Sequence, residues 1–115
     1  MVTKTVWQHR EQMRGGKGSV EMYHVIPRDR CNDHMRMFAK IVVHPHSSIG
    51  QHLHEGETEP FYIESGRGLF IVNEARWEVK AGDVCTIHPG DSHSIENLSD
   101  TEDLCMIAVI YKNEG

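Results

Sequence analysis

His52-Leu53-His54-Glu55-Gly56-Glu57-Thr58-Glu59-Pro60-Phe61-Tyr62-Ile63-Glu64-Ser65-Gly66 is the stretch whose reading decides the fold. Histidines two residues apart project from the same face of a β-strand, so the imidazoles of His52 and His54 can converge on one ion while Leu53 points away. Glu59 follows at the start of an apolar-polar alternation, Phe61 and Ile63 sharing its parity and Tyr62 and Glu64 opposing it, which predicts a half-buried strand. Gly66 closes the stretch where a corner needs freedom of φ.

Downstream, Gly82, Gly90, His93 and Asn97 form a second set, and His93 supplies a further imidazole. Three imidazoles and one carboxylate, from His52, His54, His93 and Glu59, would leave two cis positions free on an octahedral ion, suited to chelation of a small molecule through two oxygens. The donors are hard or borderline and include no thiolate. One divalent ion per chain is expected, with manganese, iron, nickel, cobalt and zinc all compatible.

These two sets resemble the motifs of the cupin superfamily, Gly-x5-His-x-His-x(3,4)-Glu-x6-Gly and Gly-x5-Pro-x-Gly-x2-His-x3-Asn. His52, His54, Glu59 and Gly66 fit the first, and Gly82, Gly90, His93 and Asn97 the second. Drawn from this chain's own composition, the joint spacing has a chance of roughly 10⁻⁸ per register. His46 stands where the first motif has its leading Gly, and His88 where the second has Pro. The motifs span residues 46–97. Residues 13–25 and Ser48-Ile49-Gly50 are also similar to small single-domain bacterial cupins of the conserved-barrel type. The resemblance implies an all-β fold, a double-stranded β-helix or jelly-roll barrel. It also implies a menu of functions: metal-dependent decarboxylase, isomerase or dioxygenase, a non-catalytic binding or sensing module, or a barrel with a structural metal. The ligand would be a carboxylic acid, dione or sugar derivative. Homodimers are common among small cupins, and a homodimer would cover sheet edges otherwise left open.

With 115 residues, the chain is expected to form a single domain over 1–115, with residues 1–17 as an N-terminal arm. A net charge of −5 disfavours a phosphate backbone as partner, and nine histidines make that charge sensitive to pH. There is no apolar leader at the N-terminus and no membrane-length apolar run, so a cytoplasmic, membrane-free protein is expected. Cys31, Cys85 and Cys105 are too widely spaced for a disulfide framework or a zinc knuckle and read as reduced, packed thiols.

Nine strands are predicted: 20–26, 38–44, 50–54, 60–65, 68–72, 77–80, 84–88, 93–96 and 104–111. Asn73-Glu74-Ala75-Arg76 is expected to turn a hairpin, and the polar segment 27–36 to hold a helical turn. Phe61 and Ile63 are expected to line a cavity between the sheets. His88 would join them at its mouth if Val84 and Thr86, which share its parity, face inward; otherwise it is an exposed residue entering the Pro89-Gly90 turn. His44-Pro45-His46 reads as a strand end rather than a second ligand pair, and Arg14-Gly15-Gly16-Lys17 as a flexible entry to the first strand or, less commonly for such a loop, a cradle of backbone amides for a phosphate or carboxylate.

Overall fold

The period-two alternation becomes ten antiparallel strands in the computed structural model, which describes residues 1–113. They are β1 (Val6–Glu11), β2 (Ser19–Ile26), β3 (Met35–Val43), β4 (Ser48–Leu53), β5 (Glu57–Ser65), β6 (Arg67–Val72), β7 (Ala75–Lys80), β8 (Val84–Ile87), β9 (Ser92–Asn97) and β10 (Leu104–Lys112). A six-stranded sheet in the order β1-β2-β3-β10-β5-β8 faces a four-stranded sheet in the order β4-β9-β6-β7. This is the jelly-roll arrangement. Among the described residues no helix is long and apolar enough to cross a membrane.

Most of the strands bury one parity along most of their length. From the larger sheet Val20, Ile41, Ile63, Leu104 and Met106 point inward, and Ile49, Phe70 and Ile95 meet them from the smaller. Burying such side chains contributes about 1.5–3 kcal/mol each before entropy is charged against it. Tyr62 and Glu64 face solvent, as their parity requires.

All nine predicted strands are present, and one was missed. Val6–Glu11 is not a loose arm: it pairs along its whole length with β2, from Val6 opposite His24 to Glu11 opposite Ser19. The hairpin after β6 is tighter than expected. Asn73 and Glu74 alone make the turn, Asn73 supplying the left-handed residue at φ 54°. The helical turn in 27–36 is a single 3-10 turn at Arg28–Arg30, and Met35 and Arg36 already belong to β3.

Arg14–Lys17 is not a flexible entry either. A Cβ on Gly16 would lie 2.2 Å from the Ser48 carbonyl oxygen, and one on Gly50 would lie 2.1 Å from that of Arg14, so the two backbones touch through these glycines. The Lys17 amide donates to Ser48 Oγ, and the Ser48 amide to the Lys17 carbonyl. This contact holds Arg14, itself left-handed at φ 56°, against β4. His46 explains its own departure from the motif, since at φ 59° it occupies the conformation for which glycine is ordinarily chosen.

Candidate metal centre

A bulge in β4 makes the site possible. Ile49 pairs with Ile95 and His52 with His93, so three residues of β4 span what two residues of β9 span. Without the extra residue, Ile49 and His52 would fall on opposite faces; with it, both turn inward. Leu53 points out, 54% exposed, and His54 turns back in at the end of the strand. The β9 parity delivers His93 beside Ile95, and the β5 parity delivers Glu59 in line with Phe61.

The structure brings His52, His54, Glu59 and His93 together, each offering a donor atom within 4.8 Å of the others. His54 Nε2 lies 3.0 Å from His93 Nε2 and 3.1 Å from Glu59 Oε1, and His93 Nε2 lies 3.5 Å from the same oxygen. His54, Glu59 and His93 are buried. Converging lone pairs at these separations repel one another unless a proton or a cation lies between them, so the donor set fits a divalent ion.

Outer contacts fix the rings. His52 Nδ1–H donates to the Gly50 carbonyl at 2.9 Å, which leaves the Nε2 lone pair facing the cluster. His54 Nδ1 lies 3.5 Å from Glu57 Oε1, and Glu57 is in turn paired with the Arg36 guanidinium. Burial works to raise the Glu57 carboxyl, but Arg36 and then His54 hold it below the usual range. His93 faces an edge-to-face pair of phenyl rings, its centroid 6.3 Å from that of Phe61 and 6.2 Å from that of Phe70. Burial pushes His93 down to about 3, with His52 and His54 adding to the effect. His52 is lowered chiefly by burial, whereas His54 is raised, first by its hydrogen bond to Glu59.

The cluster opens on a cavity of about 340 Å³. Phe61 lines it. Ile63, expected beside it, does not: it is fully buried in the core and forms no part of the cavity wall. His88 is a second correction. Val84 is 62% exposed and Thr86 and His88 are exposed too, while Cys85 and Ile87 are the buried pair, so β8 has the opposite orientation to the one that would aim His88 at the mouth. His44 and His46 stay apart, His44 bonded to Glu21 and Asp103 and His46 facing solvent. The three cysteines are free thiols; burial, with Asp83 nearby, pushes Cys85 up to about 12.

What the motifs did not contain is the other end of the cavity. Gln8, Arg28 and the buried His24 stand there, while Arg14 and Arg36 border the cavity nearer the cluster and Arg10 completes the wall. Parity was the available signal for His24, which continues the inward series Val20, Met22.

A model of the cupin domain matches residues 39–110. This chain belongs to the cupin family. An oxalate-binding protein of Thermotoga maritima is 49% identical to this cupin over 98 residues, covering 85% of this chain and 80% of that one. The crystal structure of a predicted oxalate decarboxylase from Thermotoga maritima superposes with a TM-score of 0.89 at 43% identity, covering 97% of this chain and 99% of that one. A conserved-barrel cupin from Salinispora arenicola gives a TM-score of 0.69 at 30% identity, covering 81% of this chain and 76% of that one.

Proposed function

We propose that this cupin captures a small acid with two adjacent oxygens, oxalate being the simplest, on one divalent ion held by His52, His54, Glu59 and His93. The observation that carries the reading is the convergence of three imidazoles and one carboxylate within 4.8 Å at the base of a cavity. Four protein donors leave a divalent ion able to accept further oxygens, and the bound ion would supply a Lewis-acidic centre. Charge points the same way: Arg10, Arg14 and Arg28 border the cavity beside Arg36, whose charge Glu57 balances, so the wall is positive in a chain whose net charge is −5. The Thermotoga maritima relative named as oxalate-binding supports the choice of probe.

Capture without turnover is favoured over decarboxylation by the wall of the cavity. Among the described residues that border it, Glu59 is the sole carboxylate, and it belongs to the donor set. A decarboxylase must deliver a proton to the carbon left behind; among these residues there is no second carboxylic acid, and the imidazole outside the donor set, His24, lies at the opposite end of the cavity. Calorimetric titration of oxalate into manganese-loaded protein should show binding that disappears when the metal is stripped. Equal affinity with and without metal would overturn the reading, and release of carbon dioxide during the titration would replace capture by catalysis.

The partner in solution, in the same reading, is a second copy. Trp7, Tyr23, Lys40, Ile107, Tyr62 and Val84 form one row across all six strands on the outer face of the larger sheet. Trp7, Tyr62 and Val84 are 61%, 48% and 62% exposed. The Lys40 charge is matched by Glu64 at 3.1 Å. A six-stranded face of about 24 by 30 Å covers roughly 700 Å², close to the ~800 Å² per partner of a standard interface. Light scattering should give a dimer at micromolar concentration, and Ile107→Arg, which sets like charges across a two-fold axis, a monomer.

A further inference from the structure

The cavity has two polar ends, and the function proposed above uses only one. At the other end His24 is 6% exposed and faces the cavity. Its Nε2–H donates to Gln8 Oε1 at 3.1 Å, so the ring carries its proton there and presents a bare lone pair at Nδ1. Among the described residues that Nδ1 has no hydrogen-bond partner. Burial, with Arg28 nearby, holds the ring below the usual histidine range, so it is neutral and an acceptor at physiological pH. A buried acceptor left unpaired is costly, and one that borders a cavity marks the place where a ligand donor would be rewarded.

The register gives the distance between the two ends. His24, Ala39, Ala108 and Phe61 lie in one row across β2, β3, β10 and β5. Three interstrand spacings separate the backbone of His24 from that of Phe61 by about 14 Å. His93, and with it the histidine cluster, stands at the Phe61 end. The two residues between are alanines, so the row is lowest in its middle. The wall there is apolar, made by Met22, Met37, Ile41 and Met106. A two-carbon acid chelated at the cluster cannot reach His24. A volume of about 340 Å³ is in the range of pockets that hold ligands well beyond that size.

Resting on the chelation reading above, we infer that the cavity takes a 2-hydroxy or 2-oxo acid several carbons long, its chelating head at the histidine cluster and a hydroxyl at its far end donating to His24 Nδ1. The methionines would pack along the carbon chain, their flexible thioethers adapting to it, and the bordering arginines would favour the anion.

Matched pairs of acids isolate the far contact. Zinc-loaded protein is titrated by calorimetry with 2-hydroxyhexanoate and 2,6-dihydroxyhexanoate, then with 2-hydroxyoctanoate and 2,8-dihydroxyoctanoate, and with oxalate as the reference for the chelating end. One chain length should show a preference of about five- to tenfold for the terminal hydroxyl, the size expected of one hydrogen bond. His24→Phe should reduce that preference to within about twofold while leaving oxalate affinity unchanged. Nitrogen-15 spectra of the unmutated zinc protein provide a readout that does not depend on the variant folding: His24 Nδ1 should shift with the hydroxylated acid and not with its methyl-ended counterpart. If oxalate binds and neither pair shows a preference, the far subsite is overturned and chelation stands. If a hydroxyl preference persists while oxalate fails to bind, the far subsite stands and the oxalate reading falls. If none of the acids binds, both are wrong.

Discussion

Two groups of histidines and carboxylates in this chain have the same composition and opposite physics. Inside, His52, His54, His93 and Glu59 converge at the base of the cavity. On the outer face of the larger sheet, His9 and His44 meet Glu11, Glu21 and Asp103 through contacts of 2.6–2.9 Å. The inner imidazoles outnumber their one carboxylate: His54 alone is raised, first by Glu59, while burial lowers His52 and drives His93 to about 3, so two of the three rings are held neutral with free lone pairs. Outside, carboxylates outnumber the histidines. Glu11 first, then Glu21, raises His9; Asp103 first, then Glu21, raises His44. Burial would raise the Glu21 carboxyl, but hydrogen bonds from His9, His44 and Trp7 hold it at about 2. The ratio of acid to imidazole, together with water access, therefore decides whether a histidine cluster suits a metal ion or consists of ion pairs. Residue type alone does not decide it.

The sharpest way to break that contrast is a pair of matched substitutions. His54→Ala removes a donor that lies 3.0 Å from His93 Nε2 and 3.1 Å from Glu59 Oε1. Metal affinity, followed by competition with a chromophoric chelator, should fall by more than roughly 100-fold, beyond the 10–100-fold that loss of an outer partner costs. His44→Ala should leave it within about twofold. Equal losses would mean that the inner cluster is no more a metal site than the outer one.

A smaller effect is expected from Glu57→Gln. Glu57 touches no ion in this reading; it orients His54 through Nδ1 and is itself fixed by Arg36. A neutral amide keeps the shape and loses the charge that favours Nδ1–H, so affinity should drop roughly 10- to 100-fold. Fourfold or less would show that the Gly50 contact to His52 suffices to order the cluster.

Why half of this contrast was legible in the sequence follows from the same strands. The inner four residues lie at spacings that strand parity converts directly into convergence, and the resemblance to cupin motifs rests on the same positions. The β4 bulge was not legible, because an extra residue between Ile49 and His52 leaves no mark in the alternation. β1 was missed for a related reason. Its inward residues, Gln8 and Arg10, border the cavity rather than fill a core, so the strand never shows apolar alternation. His88 was undecided because Val84 and Thr86 on one face and Cys85 and Ile87 on the other are equally suited to be the buried pair; the register with β5, which sets Ile87 opposite Glu59 and Cys85 opposite Phe61, decides for the latter. The outer network joins residues up to 94 positions apart, from His9 to Asp103 through Glu21 and His44, and no local pattern announces such a contact.

The smallest expected effect is the pH response of the outer network, and its sign follows from the shifts. His9 and His44 have folded values raised above 6.5, so their contribution is complete below 6.5 and is lost as pH rises through those values. Glu21 is lowered from 4.5 to about 2, so its contribution is complete above 4.5 and is lost as pH falls toward 2. The network is therefore at full strength between about pH 4.5 and 6.5. His9 and Trp7 reach Glu21 from β1, an edge strand that pairs only with β2, so β1 should be the element that loosens first outside the window. Hydrogen exchange, corrected for intrinsic rates, should show β1 amides opening more at pH 8 than at pH 5.5 while β10 is unchanged. With the face opened by Ile107→Arg, so that these groups are exposed, 1 M salt, with a Debye length of about 3 Å, should flatten the difference. Glu21→Gln should abolish it, since that carboxylate is the one the two histidines share. A β1 response that survives the substitution would assign the pH dependence to some group other than this network, and the comparison between the two clusters would then rest on metal affinity alone.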